Sequence, residues 1–162
     1  MIPGADTHDQ PAAGRATRFT ADAVVFAPAG DRMWVLLVRR AADHDTEPGK
    51  LALPGGHVDL GEDALSAAYR ELAEETGLDL RASGVGLRFV DRFDAPGRDP
   101  RGRYVSDAYV AVLPHLVDVQ GMDDADEAVW MPLHEALPAT LAFDHSLILR
   151  AALTRAGSSV AP

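Results

Sequence analysis

The sequence predicts one sandwich domain of the α/β or α+β class, and three observations carry that expectation. Apolar runs of strand length recur between Gly- and Pro-rich punctuation, as in Ala23-Val24-Val25-Phe26-Ala27 ahead of Pro28-Ala29-Gly30-Asp31. Two longer segments show the helical period instead, within residues 62–76 and 144–155. Strand and helix signals mix without strict alternation and without internal repeats, so helices packed on a sheet are the way to bury both. At 162 residues the chain suits a single domain with a sizeable core.

Residues 1–18 are rich in Ala, Gly, Pro and polar groups and are expected to be a flexible lead-in. A strand over residues 19–27 and a second at Trp34-Val35-Leu36-Leu37-Val38 should form a hairpin around Gly30-Asp31. After a polar loop, Leu51-Ala52-Leu53 is a short strand ending in the turn Pro54-Gly55-Gly56. A helix is expected from Glu62 to Thr76, stopped by Gly77 in the left-handed cap position. Residues 87–93 and 104–113 read as two strands joined by an Arg-rich loop, and 128–131 as a last one. A closing helix over residues 144–155 completes a domain of 19–156, with 157–162 as a flexible tail.

Composition removes several function classes. There is no cysteine, so disulfides, zinc–thiolate sites and cysteine nucleophiles are excluded, which fits a cytoplasmic protein. No apolar run approaches a membrane span, and the first residues lack the blocks of a secretory signal. A net charge of −10 repels a nucleic-acid backbone, so no nucleic acid is expected as partner. A small phosphate ligand remains compatible, because divalent cations reverse the local charge.

The helix over residues 62–76 carries the chemistry. At about 100° per residue, Leu65, Ala68, Tyr69, Leu72 and Thr76 share the side that packs on the sheet. Glu71, Glu74 and Glu75 fan out along its flank, and Arg70 lies beside Glu74, where it can orient a carboxylate. Acid runs on helices are usually solvated surface. Here Glu71 and Glu75 repel at i,i+4, and the acids occupy the last turns, where the helix dipole disfavours them by ~0.3–1 kcal/mol each. A bound divalent cation would relieve both penalties. Hard cations take oxygen ligands shared between carboxylates, water and substrate phosphate, and two of them can grip a pyrophosphate. The preceding Gly55-Gly56 would let backbone approach a metal or phosphate closely.

Residues 56–78, GHVDLGEDALSAAYRELAEETGL, resemble the Nudix box at every defining position. Five residues separate Gly56 from Glu62, seven separate Glu62 from Arg70-Glu71-Leu72, and Glu74, Glu75, Gly77 and Leu78 follow. The resemblance implies an α/β/α sandwich with a mixed β-sheet and hydrolysis of a nucleoside diphosphate linked to another moiety. It implies Glu71, Glu74 and Glu75 as Mg²⁺ ligands (Mn²⁺ as the alternative), one of them serving as base. Arg70 would hold that cluster, Gly56 would offer its carbonyl, and Glu62 would support the box from the other end of the helix. A later acid often joins such a site. Residues 121–127 supply one, with Glu127 favoured and Asp126 next, against the reading of a plain acidic surface loop. A homodimer is left open by the sequence, with the opening strand pair as a candidate interface.

Between the two middle strands, Arg98, Arg101 and Arg103 suit a phosphate- or carboxylate-binding loop, or simply a solvated hairpin that balances acidic surface. The segment is similar to an ADP-ribose branch of the family, as is Leu141-Ala142-Phe143-Asp144-His145. That likeness implies hydrolysis of ADP-ribose to AMP and ribose 5-phosphate. Two departures stand beside it: Pro96 is slightly late for a marker proline, and only a short helix and tail follow, which disfavours repression through an appended DNA-binding domain. The alternatives are hydrolysis of a nucleoside triphosphate such as oxidised dGTP, and a non-catalytic ADP-ribose sensor. Asp144-His145-Ser146 holds triad residue types, but sequence neighbours cannot adopt the relay geometry. His44, His57, His115 and His134 lack zinc spacing and are read as surface or loop residues. Trp34, Trp130 and Phe143 are read as packing rather than base-stacking platforms.

Overall fold

A computed structural model describes residues 16–122 and 125–157. Residues 1–15 of the expected lead-in (1–18), the acids Asp123 and Asp124, and residues 158–162 of the expected tail (157–162) lie outside the described residues. Strand β1 (Arg18–Ala29) turns at Gly30, φ 62°, into β2 (Arg32–Arg40), which confirms the hairpin. Then come β3 (Leu51–Ala52), β4 (Gly55–His57), helix α1 (Ala64–Thr76), the short α2 (Leu80–Ser83), β5 (Arg88–Phe93), β6 (Tyr104–Val112), β7 (Ala125–Pro132), the short α3 (Leu133–Ala136) and α4 (His145–Ala156).

The sheet is mixed: β1 and β6 run parallel, and the other pairs are antiparallel. Strand β1 alternates cleanly. Ala21, Ala23, Val25 and Ala27 meet α1, while Val24 and Phe26 face α3 and α4. Each face has its own core, so helices cover the sheet on both sides as an α/β/α sandwich. Among the described residues no helix is long and apolar enough to cross a membrane.

One feature of the sheet places the pocket. β1 pairs with β2 only over Phe26–Ala29, at the turn end. Further along, the same edge of β1 takes β4 at residues 20–22, and the facing edge of β2 takes β3 at Val38 and Arg39. The hairpin is thus a fork, and the chain from Leu51 to His57 is wedged between its prongs.

Several expectations need correction. Helix α1 begins at Ala64 rather than Glu62, because Asp63 is the N-cap, its carboxylate accepting from the Ser66 N–H at 2.8 Å. Leu65 is exposed, and the buried stripe runs through Ala67, Ala68, Leu72, Glu75 and Thr76. The small Ala67 and Ala68 let the helix settle onto the alanines of β1 and rotate Glu75 inward. Gly55-Gly56 is a strand as well as a turn, since β1 supplies its hydrogen bonds. Asp126 and Glu127 belong to β7 rather than to a loop, Glu127 pairing with Arg39 of β2 and Asp126 sitting at a register shift beside it.

Candidate active site

Helix α1 ends where expected, Gly77 adopting φ 72° and donating its N–H to the Ala73 carbonyl. No basic residue lies in its last turn. Arg70 takes that neutralising role from the preceding turn. It grips Glu62 with two hydrogen bonds (2.9 and 2.8 Å), Glu71 at 2.9 Å, Glu74 at 3.1 Å and the His57 carbonyl at 2.9 Å. Those bonds, the Glu62 pair foremost, push the guanidinium pKa up, and they hold Glu62 below its ordinary value. Arg70 therefore joins both ends of the helix to strand β4.

Glu71 and Glu75 turn toward Gly55-Gly56. The Gly55 N–H donates to Glu75 at 2.9 Å, and Glu75 is 8% exposed. A Cβ on Gly56 would lie 2.4 Å from the Glu71 carboxylate, and one on Gly55 would lie 2.5 Å from Asp22 Oδ1. Both positions therefore require glycine for close approach. Glu74 is the outlier, with 44% of its side chain exposed.

A cavity of about 150 Å³ opens on these groups, its lining combining the acids Asp22, Glu71 and Glu75 with the cations Arg40, Arg98 and Arg101. The cationic wall is built by stacking. The Arg101 guanidinium lies 4.5 Å from the Tyr104 ring centre and 5.0 Å from that of Phe143, and Arg40 lies 5.0 Å from the Phe143 ring. Asp99, 4% exposed, binds Arg101 at 2.7 Å. Burial opposes ionisation of Asp99, but the hydrogen bonds from Arg101 prevail and keep its carboxyl below the usual range. Phe143 holds φ 51°, a left-handed conformation uncommon for a residue with a side chain.

The floor of the fork holds a polar cluster. The Ser106 hydroxyl donates to Asp22, and His145 Nε2 lies 3.6 Å from Asp22 Oδ1. Because His145 Nδ1 accepts the Leu53 N–H at 2.9 Å, its proton sits on Nε2, facing Asp22. Burial lowers the His145 pKa and keeps the ring neutral, against the opposing pull of Asp22. His145 thus bridges the Leu51–His57 wedge to β1.

The expected site residues fall into three groups. Arg70, Glu71, Glu75, Gly56 and Arg101 meet at or beside this cavity. Arg98 also reaches it, but its side chain is 5% exposed and forms two bonds to Asp144, at 2.8 and 2.6 Å. Arg103 lines an adjoining cavity and donates to the Asp94 carbonyl. Glu127 is not in the cavity lining; it is half exposed on β7 and pairs with Arg39 at 3.1 Å. Asp126 accepts the Ala42 N–H. Sequence reasoning missed Asp22 and Arg40, weighed His145 only as a triad residue type and within the likeness of residues 141–145, and read Phe143 as packing; His44 and His57, read as surface or loop residues, also line cavities here. An Asp inside the apolar run of residues 21–27 was the available signal for Asp22.

Among the described residues, no three acidic or imidazole groups already stand together as a metal cluster. The donors at Gly55-Gly56 are nonetheless of one chemical kind, carboxylate oxygens packed onto bare backbone, and that donor set fits a hard divalent cation.

Comparison with known proteins gives a match to the NUDIX domain family over residues 16–152. The ADPR-responsive transcriptional repressor NtrR of Acinetobacter baylyi is 33% identical over 84% of this chain and 53% of its own length. An ADP-ribose pyrophosphatase of Methanocaldococcus jannaschii is 36% identical over 72% of this chain and 63% of its own. The chain thus spans between half and two thirds of the length of these relatives. Among solved structures, the NUDIX domain of Shewanella oneidensis NrtR complexed with ADP ribose superposes with a TM-score of 0.77 at 30% identity, covering 91% of this chain and 94% of that one.

Proposed function

The chain belongs to the NUDIX family, and from that premise we propose that it is a divalent-metal-dependent hydrolase that cleaves ADP-ribose to AMP and ribose 5-phosphate. The observation that carries this proposal is the one cavity lined both by the box carboxylates Glu71 and Glu75 and by the stacked, Asp99-anchored Arg101. A diphosphate needs both: oxygen-bound cations along one edge and a fixed guanidinium along the other. The two relatives whose names carry ADP-ribose or its pyrophosphatase support the choice of ligand. Nucleic acid stays outside the proposal, since a net charge of −10 disfavours a polynucleotide.

Mg²⁺, or Mn²⁺ in its place, would be held by Glu71 and Glu75 with the Gly56 carbonyl, and Glu74 would complete the set from the open side. The metal supplies charge neutralisation at the phosphates and acidifies water. The protein does the rest. Arg70 fixes the carboxylate rotamers, leaving Glu71 or Glu75 to take the proton of the attacking water. Arg101, immobilised between two rings, orients the diphosphate and offsets charge on the leaving phosphate. Arg98, committed to Asp144, tethers the loop that carries Arg101.

The test is a hydrolysis screen with Mg²⁺ over ADP-ribose, NADH, diadenosine polyphosphates, nucleoside diphosphate sugars and oxidised dGTP, with products resolved by chromatography. AMP and ribose 5-phosphate from ADP-ribose, abolished by chelation, is the expected result. Pyrophosphate released from oxidised dGTP as the dominant reaction would replace the substrate assignment. Tight ADP-ribose binding with no turnover in the panel would make the protein a sensor.

A further inference from the structure

A second cavity of about 370 Å³ adjoins the first and shares His44, His57 and Arg101 in its walls. Its remaining charged lining is Arg18, Arg103 and one carboxylate, Asp45. In a protein of net charge −10 this is an inverted balance. Neither Arg18 nor Arg103 has a carboxylate partner among the described residues. Both are nonetheless held in place. Arg18 donates to the Tyr104 hydroxyl at 3.2 Å and lies over that ring at 5.9 Å, and its backbone N–H is bonded to the Arg103 carbonyl at 2.9 Å. Arg103 donates one guanidinium N–H to the Asp94 carbonyl, which leaves its others unspent. Tyr104 therefore carries Arg101 toward the first cavity and Arg18 toward the second.

Size supports the same conclusion. Drug-sized ligands occupy roughly 300–1,000 Å³, so a nucleotide joined to a second group overfills the first cavity and must extend past Arg101. What it meets there is positive charge in excess of anything a neutral sugar or base requires. Guanidiniums with spare N–H groups and no carboxylate partner pair best with a phosphate dianion.

We propose that the cavity at Arg18 and Arg103, adjoining Arg101, is a second anion subsite, which takes a phosphomonoester carried by the substrate outside its diphosphate. The preferred ligand is then a phosphorylated form of a nucleoside diphosphate sugar. This rests on the hydrolase proposal only for the nucleotide nature of the ligand. Two sources of the phosphate are chemically equivalent at the subsite: one on the adenosine ribose, the other on the terminal ribose.

The test is titration calorimetry of the full chain with Ca²⁺ in place of Mg²⁺, against ADP-ribose, its 2′-phosphate on the adenosine ribose and its 1″-phosphate on the terminal ribose. One phosphorylated ligand should bind about tenfold more tightly than ADP-ribose, and in Arg18→Gln that ratio should fall below about threefold. Because the ligands differ by one phosphoryl group, any effect of the substitution on the shared portion cancels in the ratio. Whichever phosphorylated ligand gains identifies the source. The subsite is overturned if neither gains over ADP-ribose, or if the gain survives Arg18→Gln. Loss of turnover with the binding ratio intact would overturn the hydrolase proposal and leave the subsite standing.

Discussion

The acidic wall of the cavity takes Glu71 and Glu75 from helix α1, packed on strand β4, with Asp22 added from β1, whereas the cationic wall gathers Arg40 from β2, Arg101 from the loop after β5 and Phe143 from the approach to α4. On the acidic side one arginine, Arg70, satisfies three glutamates through short hydrogen bonds within and beside one helix. On the cationic side the assembly also needs distant partners: Arg98 depends on Asp144, and Phe143 on both Arg40 and Arg101. A locally encoded wall tolerates drift elsewhere in the fold. An assembled wall is only as good as the packing that brings its parts together.

The sharpest way to break the acidic wall is Glu75→Gln, which removes a charge and keeps an oxygen for the Gly55 N–H. We expect kcat to fall roughly 10²–10³-fold with an unchanged circular dichroism spectrum. Glu74→Gln, on the half-exposed carboxylate, should cost less. Equal losses from the two in a steady-state assay would mean that burial does not rank these glutamates.

The cationic wall should fail through stability before chemistry. Arg98→Gln strands the largely covered Asp144 carboxylate, whose side chain is 12% exposed, and about 3 kcal/mol of unfolding free energy should be lost in urea denaturation. A loss confined to activity would make Arg98 a substrate contact rather than a tether. Arg101→Lys keeps the charge but gives up the planar stack between Tyr104 and Phe143. KM should rise about tenfold with a smaller change in kcat. A fall in kcat at constant KM would place Arg101 on the transition state instead.

The same contrast explains what the sequence made legible. The spacing of Glu71, Glu74 and Glu75 is a local, helical fact, and Gly77 marks the helix end just as surely. The strands were legible because β1 and β2 are continuous apolar runs. The fork between them was not, because β3 and β4 are too short to have a period and exist only through their bonds to β1 and β2. Nor does local sequence separate Arg98 from Arg101. They share a loop and a residue type, and their roles differ because one finds a carboxylate 46 positions away while the other holds its near neighbour Asp99 and stacks on two rings. The left-handed Phe143 carries no glycine or asparagine to announce it.

The smallest expected effect tests the bridge between the walls. His145 accepts from Leu53 through Nδ1, a position that the Asn amide oxygen can occupy and the Gln amide overshoots. His145→Asn should therefore keep kcat within about threefold of the parent, and His145→Gln should lose more, since a buried N–H left unbonded costs ~1–3 kcal/mol. The imidazole also makes stability depend on pH. Burial lowers its folded-state pKa below the unfolded value of about 6.5, so the unfolded chain takes up a proton that the native state refuses. Its contribution is complete above that unfolded value and is lost as the pH falls toward the lowered folded one, at a slope of at most about 1.4 kcal/mol per pH unit. Urea denaturation between pH 8 and 5 should show this decline in the parent and a shallower one in His145→Asn. Identical slopes would move the acid sensitivity to another group and leave His145 with only its hydrogen bond to the wedge.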